Sequence, residues 1–476
     1  MTDFKLLING KLVDGASSFD VLNPSTEEVV AKCPKADRAQ LDQAVAAAKA
    51  AFPAWSKRPL KERAALLNKV ADALEARAEE FARLLVQEQG KPLPMALWEV
   101  GGTAGGIRYF ASLELPDKVL KDDAETKIIL QHKPLGVVAA ITPWNFPLIL
   151  LSIKLGPGLL AGNTMIVKPA PTTPLTTLLL GEVMAQILPP GVVNVLADQN
   201  ELGDAITGHP DIAKVAFTGS TATGKKVMAS AASSLKRLTL ELGGNDAAIV
   251  LDDCDPKEVA PKIFGGATLN SGQVCLAIKR VYAPKAMYDE LCDELAKLAK
   301  DAVVGDGFEQ GAQLGPIQNK MQFEKVKGFL DAAHKDGKVI AGGAPLDRKG
   351  YFIPPTIVRD IPDDSKLVQE EQFAPILPIM SYTDLDDAIA RANDSEYGLG
   401  GTVWTNDLKR GQEVASQVLS GTIWVNKHLD LPFDIPFGGA KQSGIGVEYG
   451  QEGLEEFTQA TTINMSKVPL SASSGH

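Results

Sequence analysis

Residues that bind metals, cross-link chains or hold polyanions are scarce in this 476-residue chain. Its four cysteines, Cys33, Cys254, Cys275 and Cys292, are too few for a disulfide framework, and no two stand in a CxxC spacing. The five histidines (His132, His209, His334, His428 and His476) stand alone with no HxxxH pair, so nothing points to a metal site. Acidic residues outnumber basic ones by 59 to 48, giving a net charge of −11 and a pI of about 5.2. No basic stretch interrupts that balance, which argues against a nucleic-acid partner. The longest apolar run, around 146–153, falls far short of the roughly twenty residues that a membrane-spanning helix needs. Met1 to Lys5 lack the basic-then-apolar pattern of a secretory leader. A cytoplasmic protein is expected, with any working cysteine a free thiol. The tail 471–476 reads as loose.

What is there, 45% hydrophobic and 22% charged residues, is the composition of a globular protein, and the length calls for two or three domains. From 37 to 90, Ala, Leu, Glu, Lys and Arg with apolar residues every three or four predict helices, stopped by Gly90 and Pro92. From 135 onward, short apolar runs alternate with helix-length segments. Strands are predicted at 135–141, 163–168, 192–196, 214–218 and 237–241, with helices from near 147 and over 173–186. Runs without polar alternation imply a parallel sheet covered on both faces. That is a doubly wound α/β domain, whose ligands sit at the carboxyl ends of the strands. After Gly243 and Gly244 the rhythm restarts at 247–251 and continues to about 446, a second α/β domain. Strand text at 127–131, within a hairpin over 117–132, and at 460–465 falls outside both. Such exposed edges invite pairing with another subunit.

Four loops at strand ends carry the candidate chemistry. Gly219-Ser-Thr-Ala-Thr-Gly224-Lys225 nearly spells a P-loop, but Lys226 stands where a Ser or Thr would hold magnesium. Nor is it the GxGxxG fingerprint. A strand running into Thr218-Gly-Ser-Thr221 and opening a helix still leaves free N–H groups at a positive helix end, which suits a phosphate. The plainer alternative is a tight packing turn. Cys275 follows the turn Asn270-Ser-Gly-Gln273, which can expose its sulfur, although an isolated cysteine is more often a small core residue. No histidine lies nearby to activate it. Glu241, close to Gly243 and Gly244, is a candidate base or simply a strand-end carboxylate. Asn145, between Trp144 and Phe146, offers its amide to an oxyanion or holds its own turn. Together, a thiol, a carboxylate, an amide donor and a nucleotide-like loop describe acyl-transfer chemistry.

The chain resembles the NAD(P)-dependent aldehyde dehydrogenases over nearly its whole length. The likeness rests on Thr142-Pro-Trp-Asn-Phe-Pro147, Lys168-Pro-Ala170, Phe217-Thr-Gly-Ser-Thr221, Glu241-Leu-Gly-Gly244, Gly272-Gln-Val-Cys275, Glu370-Glu-Gln-Phe-Ala-Pro375 and Pro436-Phe-Gly-Gly-Ala-Lys-Gln-Ser-Gly444, in that order. The resemblance implies oxidation of a small-molecule aldehyde to the acid with reduction of NAD or NADP. It implies that Cys275 attacks the aldehyde to give a thiohemiacetal and then a thioester. Asn145 and the Cys275 N–H would hold the oxyanion, and Glu241 would activate the hydrolytic water. Cofactor contacts would come from Thr142, Trp144, Lys168, Pro171, Gly203, Gly219, Ser220, Leu242, Glu371 and Phe373. The implied organisation is a dinucleotide-binding domain over 1–114 and 134–243, a catalytic domain over 244–446, and a small β oligomerisation extension from 115–133 and 457–476. A homodimer or homotetramer is the implied assembly.

Three departures bear on specificity. Pro171 stands three residues after Lys168, where many NAD-preferring members carry a glutamate that binds the adenosine 2′-hydroxyl. Its loss removes a repulsion against a 2′-phosphate and admits NADP. Ala374 replaces a common glycine, and Val447 an arginine. Ile153 stands where succinate-semialdehyde members place an arginine, so with Phe146 and Leu150 the substrate tunnel reads as apolar, favouring aliphatic or aromatic aldehydes. The alternatives are a core stripe at helical spacing, an anionic semialdehyde met by Lys427 or His428, a P-loop-like nucleotide hydrolase, and a non-catalytic structural relative.

Overall fold

Apolar runs without alternation become strands buried along their whole length. In the computed structural model, which describes residues 3–468, Val137–Ile141, Thr164–Lys168 and Val193–Val195 are buried at every position. They belong to an eight-stranded sheet. Its order is Lys11–Val13, Leu6–Ile8, Val193–Val195, Thr164–Lys168, Val137–Ile141, Ile212–Thr218, Arg237–Glu241 and Gly444–Ile445. The five central strands are parallel. From Val137–Ile141 the chain steps to one side for two strands and then to the other side for two more. That reversal opens a crevice at the carboxyl ends, where ligands of doubly wound sheets lie.

The second sheet has seven strands, ordered Lys338–Ala341, Thr356–Arg359, Ile376–Tyr382, Ile278–Pro284, Asp246–Val250, Gly400–Trp404 and Thr422–Val425. All but the first edge strand run parallel. Only four residues separate Glu241, the last of one sheet's strand, from Asp246, the first of the other's. The carboxyl ends of the first sheet therefore adjoin the amino ends of the second. Gly444–Ile445, which the sequence places in the second domain, instead pairs antiparallel with Arg237–Glu241 and closes the first sheet's edge. The approach requires a residue without a side chain, since a Cβ on Gly444 would sit 2.2 Å from the Leu240 carbonyl oxygen.

The hairpin and the terminal strand pair with each other. Thr126–Pro134 lies between Lys118–Asp122 and Thr458–Ser466, in unbroken register with the latter from Thr458↔Pro134 to Ser466↔Thr126. Every residue of Lys118–Asp122 is exposed. The expected loose tail, 471–476, lies outside the described residues. Gly90 and Pro92 separate two helices, Ala78–Gln89 and Leu93–Ala111, rather than ending the helical region. The second of these packs on Ile149–Leu160 so closely that a Cβ on Gly106 would meet Ser152 Oγ at 2.7 Å. No described helix is long and apolar enough to cross a membrane.

Candidate active site

The crevice of the first sheet collects most of the expected cofactor residues. Thr142 follows the central strand, and its Oγ1 is buried without a hydrogen-bond partner among the described residues. Lys168 ends the next strand, with its ammonium 2.8 Å from Asp198 and 3.0 Å from Asn200 Oδ1. Pro171 is half-buried in the turn before the helix Leu175–Ile187, and Gly203 opens the short helix Gly203–Thr207. Gly219 lies against the Phe217 ring, where a Cβ would approach to 2.5 Å. Ser220 caps Thr221–Ala232 by accepting from the Thr223 N–H at 3.3 Å. A glycine-lined strand end, a free helix start and an unpartnered buried hydroxyl fit a dinucleotide. They do not make a P-loop. Gly224 turns inward against Leu242, where a Cβ would meet Cδ2 at 2.4 Å, while Lys225 and Lys226 are exposed. The glycine spacing serves helix-to-strand packing.

Toward the second sheet, Trp144 and Phe373 meet edge to face with ring centroids 5.2 Å apart. Glu371 accepts from the Gly244 N–H at 3.1 Å, and a Cβ on Gly243 would lie 2.5 Å from its Oε2. Cys275 is half-buried just before the strand Ile278–Pro284. Its leading turn holds three successive left-handed residues, Asn270 (φ 50°), Ser271 (φ 57°) and Gly272 (φ 70°). Side chains pin this turn. Asn270 Nδ2 donates to the Asn145 carbonyl at 3.1 Å, Ser271 Oγ to Gly315 O at 2.8 Å, and Gln273 Nε2 to Pro316 O at 3.2 Å. Burial pushes the Cys275 thiol up to about 12; Lys279 opposes that shift, and the carboxylates of Glu371, Glu241 and Asp246 add to it.

Asn145 is clamped to the same turn. Its Nδ2 donates to Gln273 O at 3.0 Å, committing one of two amide hydrogens. Its carbonyl accepts from Lys91 Nζ at 2.9 Å, and Lys91 is ion-paired to Glu99, with both side chains fully buried. Glu99 in turn accepts from the Leu148 N–H at 3.0 Å. Glu241 is only 4% exposed, and neither carboxylate oxygen has a hydrogen-bond partner among the described residues. Burial, and then the neighbouring Glu448, raise its carboxyl well above the usual range, against the pull of Lys154. Lys154 is ion-paired to Glu448 and donates to Thr218 Oγ1 at 2.7 Å. Lys91, Glu99, Lys154 and Glu448 escape motif reading. Their only signal in the sequence is a charge inside apolar text, as for Lys154 among the apolar residues of 148–160.

Phe146 and Ile153 sit in one apolar cluster with Phe110, Val274 and Phe437, and Leu150, Phe433 and Cys275 pack at its margin. The rings of Tyr109, Phe433 and Tyr449 stack in series, 6.1 Å and 5.7 Å between centroids. Both candidate anion contacts have partners of their own. His428 Nε2 donates to the Leu276 carbonyl at 2.6 Å, and burial pushes its pKa down to about 4, so the ring is neutral. Lys427 pairs with Asp430.

A crevice whose features fit a dinucleotide thus meets a pinned cysteine and a buried carboxylate without a hydrogen-bond partner among the described residues. The chain belongs to the aldehyde dehydrogenase family, which matches residues 12–463. Aldehyde dehydrogenase LUC3 of a Fusarium species is 40% identical over 470 residues, covering 98% of this chain and 99% of the relative. Phenylacetaldehyde dehydrogenase of Pseudomonas fluorescens is 38% identical, covering 96% and 95%. The NAD+ complex of an aldehyde dehydrogenase from Bacillus cereus superimposes with a TM-score of 0.96 at 38% identity, covering 98% and 97%. The protein is an NAD(P)-dependent enzyme that oxidises an aldehyde to the carboxylic acid.

Proposed function

We propose that Cys275, Asn145 and Glu241 carry this oxidation and that the substrate is an apolar aliphatic or aromatic aldehyde. Cys275 Sγ gives its proton to solvent water and bonds to the aldehyde carbon, and the carbonyl π pair moves to the oxygen, which takes the negative charge. The uncommitted Asn145 amide hydrogen and the Cys275 N–H, which has no acceptor among the described residues, meet that oxyanion. Each such donor is worth about 3–4 kcal/mol. The chemistry that NAD(P) supplies when bound is acceptance of the hydride from the thiohemiacetal carbon. Glu241 then takes a proton from the water that hydrolyses the thioester, a role worth roughly 10²–10⁴ in rate. Its raised pKa suits a base working near neutral pH, whereas an ordinary carboxylate would bind a proton weakly.

The observation that carries the substrate reading is the apolar cluster reaching Cys275. The cations near it are committed, Lys91 to Glu99 and Lys427 to Asp430. An anionic semialdehyde would therefore lose its hydration without a partner. The exposed strand Lys118–Asp122, with Val119 and Leu120 outward, supports a homodimer or homotetramer. Four free cysteines agree with a reducing compartment such as the cytoplasm, although one relative, from Leishmania tarentolae, is a mitochondrial aldehyde dehydrogenase. Reduced-cofactor absorbance with hexanal, benzaldehyde and succinate semialdehyde tests the substrate class. A higher kcat/KM for succinate semialdehyde would defeat the apolar reading.

A further inference from the structure

A carboxylate stands beside Lys168 despite the proline at 171. Asp198 lies three residues beyond Val193–Val195, the parallel neighbour of the strand that Lys168 ends. Its Oδ2 accepts from the Leu202 N–H at 2.7 Å, which fixes the group, and its Oδ1 lies 2.8 Å from Lys168 Nζ. Among the described residues, Oδ1 has no hydrogen-bonding N–H or O–H donor beyond that ammonium contact. Both side chains are nearly fully buried, at 1% and 4% exposure. The next cation along this edge, Lys35, is paired to Glu201 at 2.5 Å. Among the described residues, each positive charge at this corner of the crevice already faces a carboxylate.

In doubly wound sheets, an acid in the crevice that accepts from the adenosine ribose selects NAD, whereas an uncommitted cation there welcomes the 2′-phosphate of NADP. We infer that Asp198 supplies the acid missing at position 171 and makes the enzyme prefer NAD over NADP. The inference rests on the cofactor-crevice reading of Lys168. Two effects act in the same direction. The carboxylate cancels the Lys168 charge that would attract a 2′-phosphate, and it repels the phosphate directly. Pro171 then costs little discrimination, because the acid comes from the neighbouring strand end.

The test is equilibrium binding of NADH and NADPH, read by their fluorescence without substrate, to the wild type and to Asp198→Asn. Asparagine keeps the shape and an oxygen for the Leu202 N–H. The wild type should bind NADH at least tenfold more tightly than NADPH, and Asp198→Asn should shrink that ratio on the order of tenfold or more, mainly by tightening NADPH. Asp204→Asn, which removes an exposed carboxylate that pairs with no cation among the described residues, should leave the ratio alone. Equal affinity of the wild type for both, or an unchanged ratio in Asp198→Asn while NADH still binds, would overturn the role of Asp198. Failure of the wild type to bind either would instead overturn the crevice reading. If Asp198→Asn proves unstable, Asp198→Glu, which keeps the charge, should retain the NADH preference, and its loss there would also count against the inference.

Discussion

Replacing Gly272 by alanine should disable catalysis without unfolding the protein. Gly272 has a φ of 70° and lies three residues before Cys275. An alanine Cβ would stand 2.4 Å from the Ala374 carbonyl oxygen and 2.5 Å from its carbon. Ordinary van der Waals contact begins near 3.4 Å, so one of the two loops must retreat by about 1 Å. The left-handed backbone adds about 1–2 kcal/mol for any residue with a Cβ. Displacement of a catalytic group by about 1 Å costs on the order of 10² in rate. The assay is kcat for hexanal oxidation beside thermal unfolding. Gly328→Ala is the control: it lies inside the helix Lys320–Asp336 with nothing within 4 Å of the added methyl, so it should keep activity and gain up to about 1 kcal/mol. A Gly272→Ala enzyme within twofold of wild-type kcat would refute the claim that this turn sets the position of the thiol.

Three further outcomes follow from the buried charges and the apolar cluster. Glu448→Gln removes a negative neighbour that raises the Glu241 carboxyl while leaving Lys154 in place, so the acid limb of kcat should move to lower pH; an upward shift would contradict the electrostatics described. Lys91→Met leaves Glu99 charged and unpaired in a dry interior and should cost roughly 3–5 kcal/mol in unfolding free energy, partly restored by also replacing Glu99. Leu150→Arg places a cation at the margin of the cluster and should raise the preference for succinate semialdehyde over hexanal about tenfold or more, measured as a ratio of kcat/KM values.

The doubly wound sheet was legible because buried parallel strands read as unbroken apolar runs. The predicted 237–241 coincides with Arg237–Glu241, and 163–168 differs from Thr164–Lys168 by one residue. Of the first four strands, Leu6–Ile8 is buried but only three residues long, Lys11–Val13 is a short edge strand, and Ser17–Leu22 and Val29–Lys35 form a two-stranded sheet with mixed faces, so none gives the long apolar run that marks the others. The helix Leu93–Ala111 was hidden by its four glycines, which weaken helix propensity but permit close packing on Ile149–Leu160. At the site, Cys275, Glu241 and Asn145 stood out through their loops. What supports them did not, because Lys91 and Glu99, and Lys154 and Glu448, are brought together only by tertiary folding, as Asp198 is with Lys168 in the crevice. The near P-loop illustrates the opposite error, since its second glycine is explained by the Leu242 side chain it packs against.

The central claim is that an acyl group rests on Cys275 until Glu241 activates water. Incubating Glu241→Gln with NAD and benzaldehyde, quenching in acid and determining the intact and peptide masses tests it most directly. The account predicts a benzoyl adduct on the peptide containing Cys275, absent without NAD and absent in the Glu241→Gln, Cys275→Ser double variant. No adduct in a protein that still releases a burst of NADH, or an adduct on Cys33, Cys254 or Cys292, would contradict it.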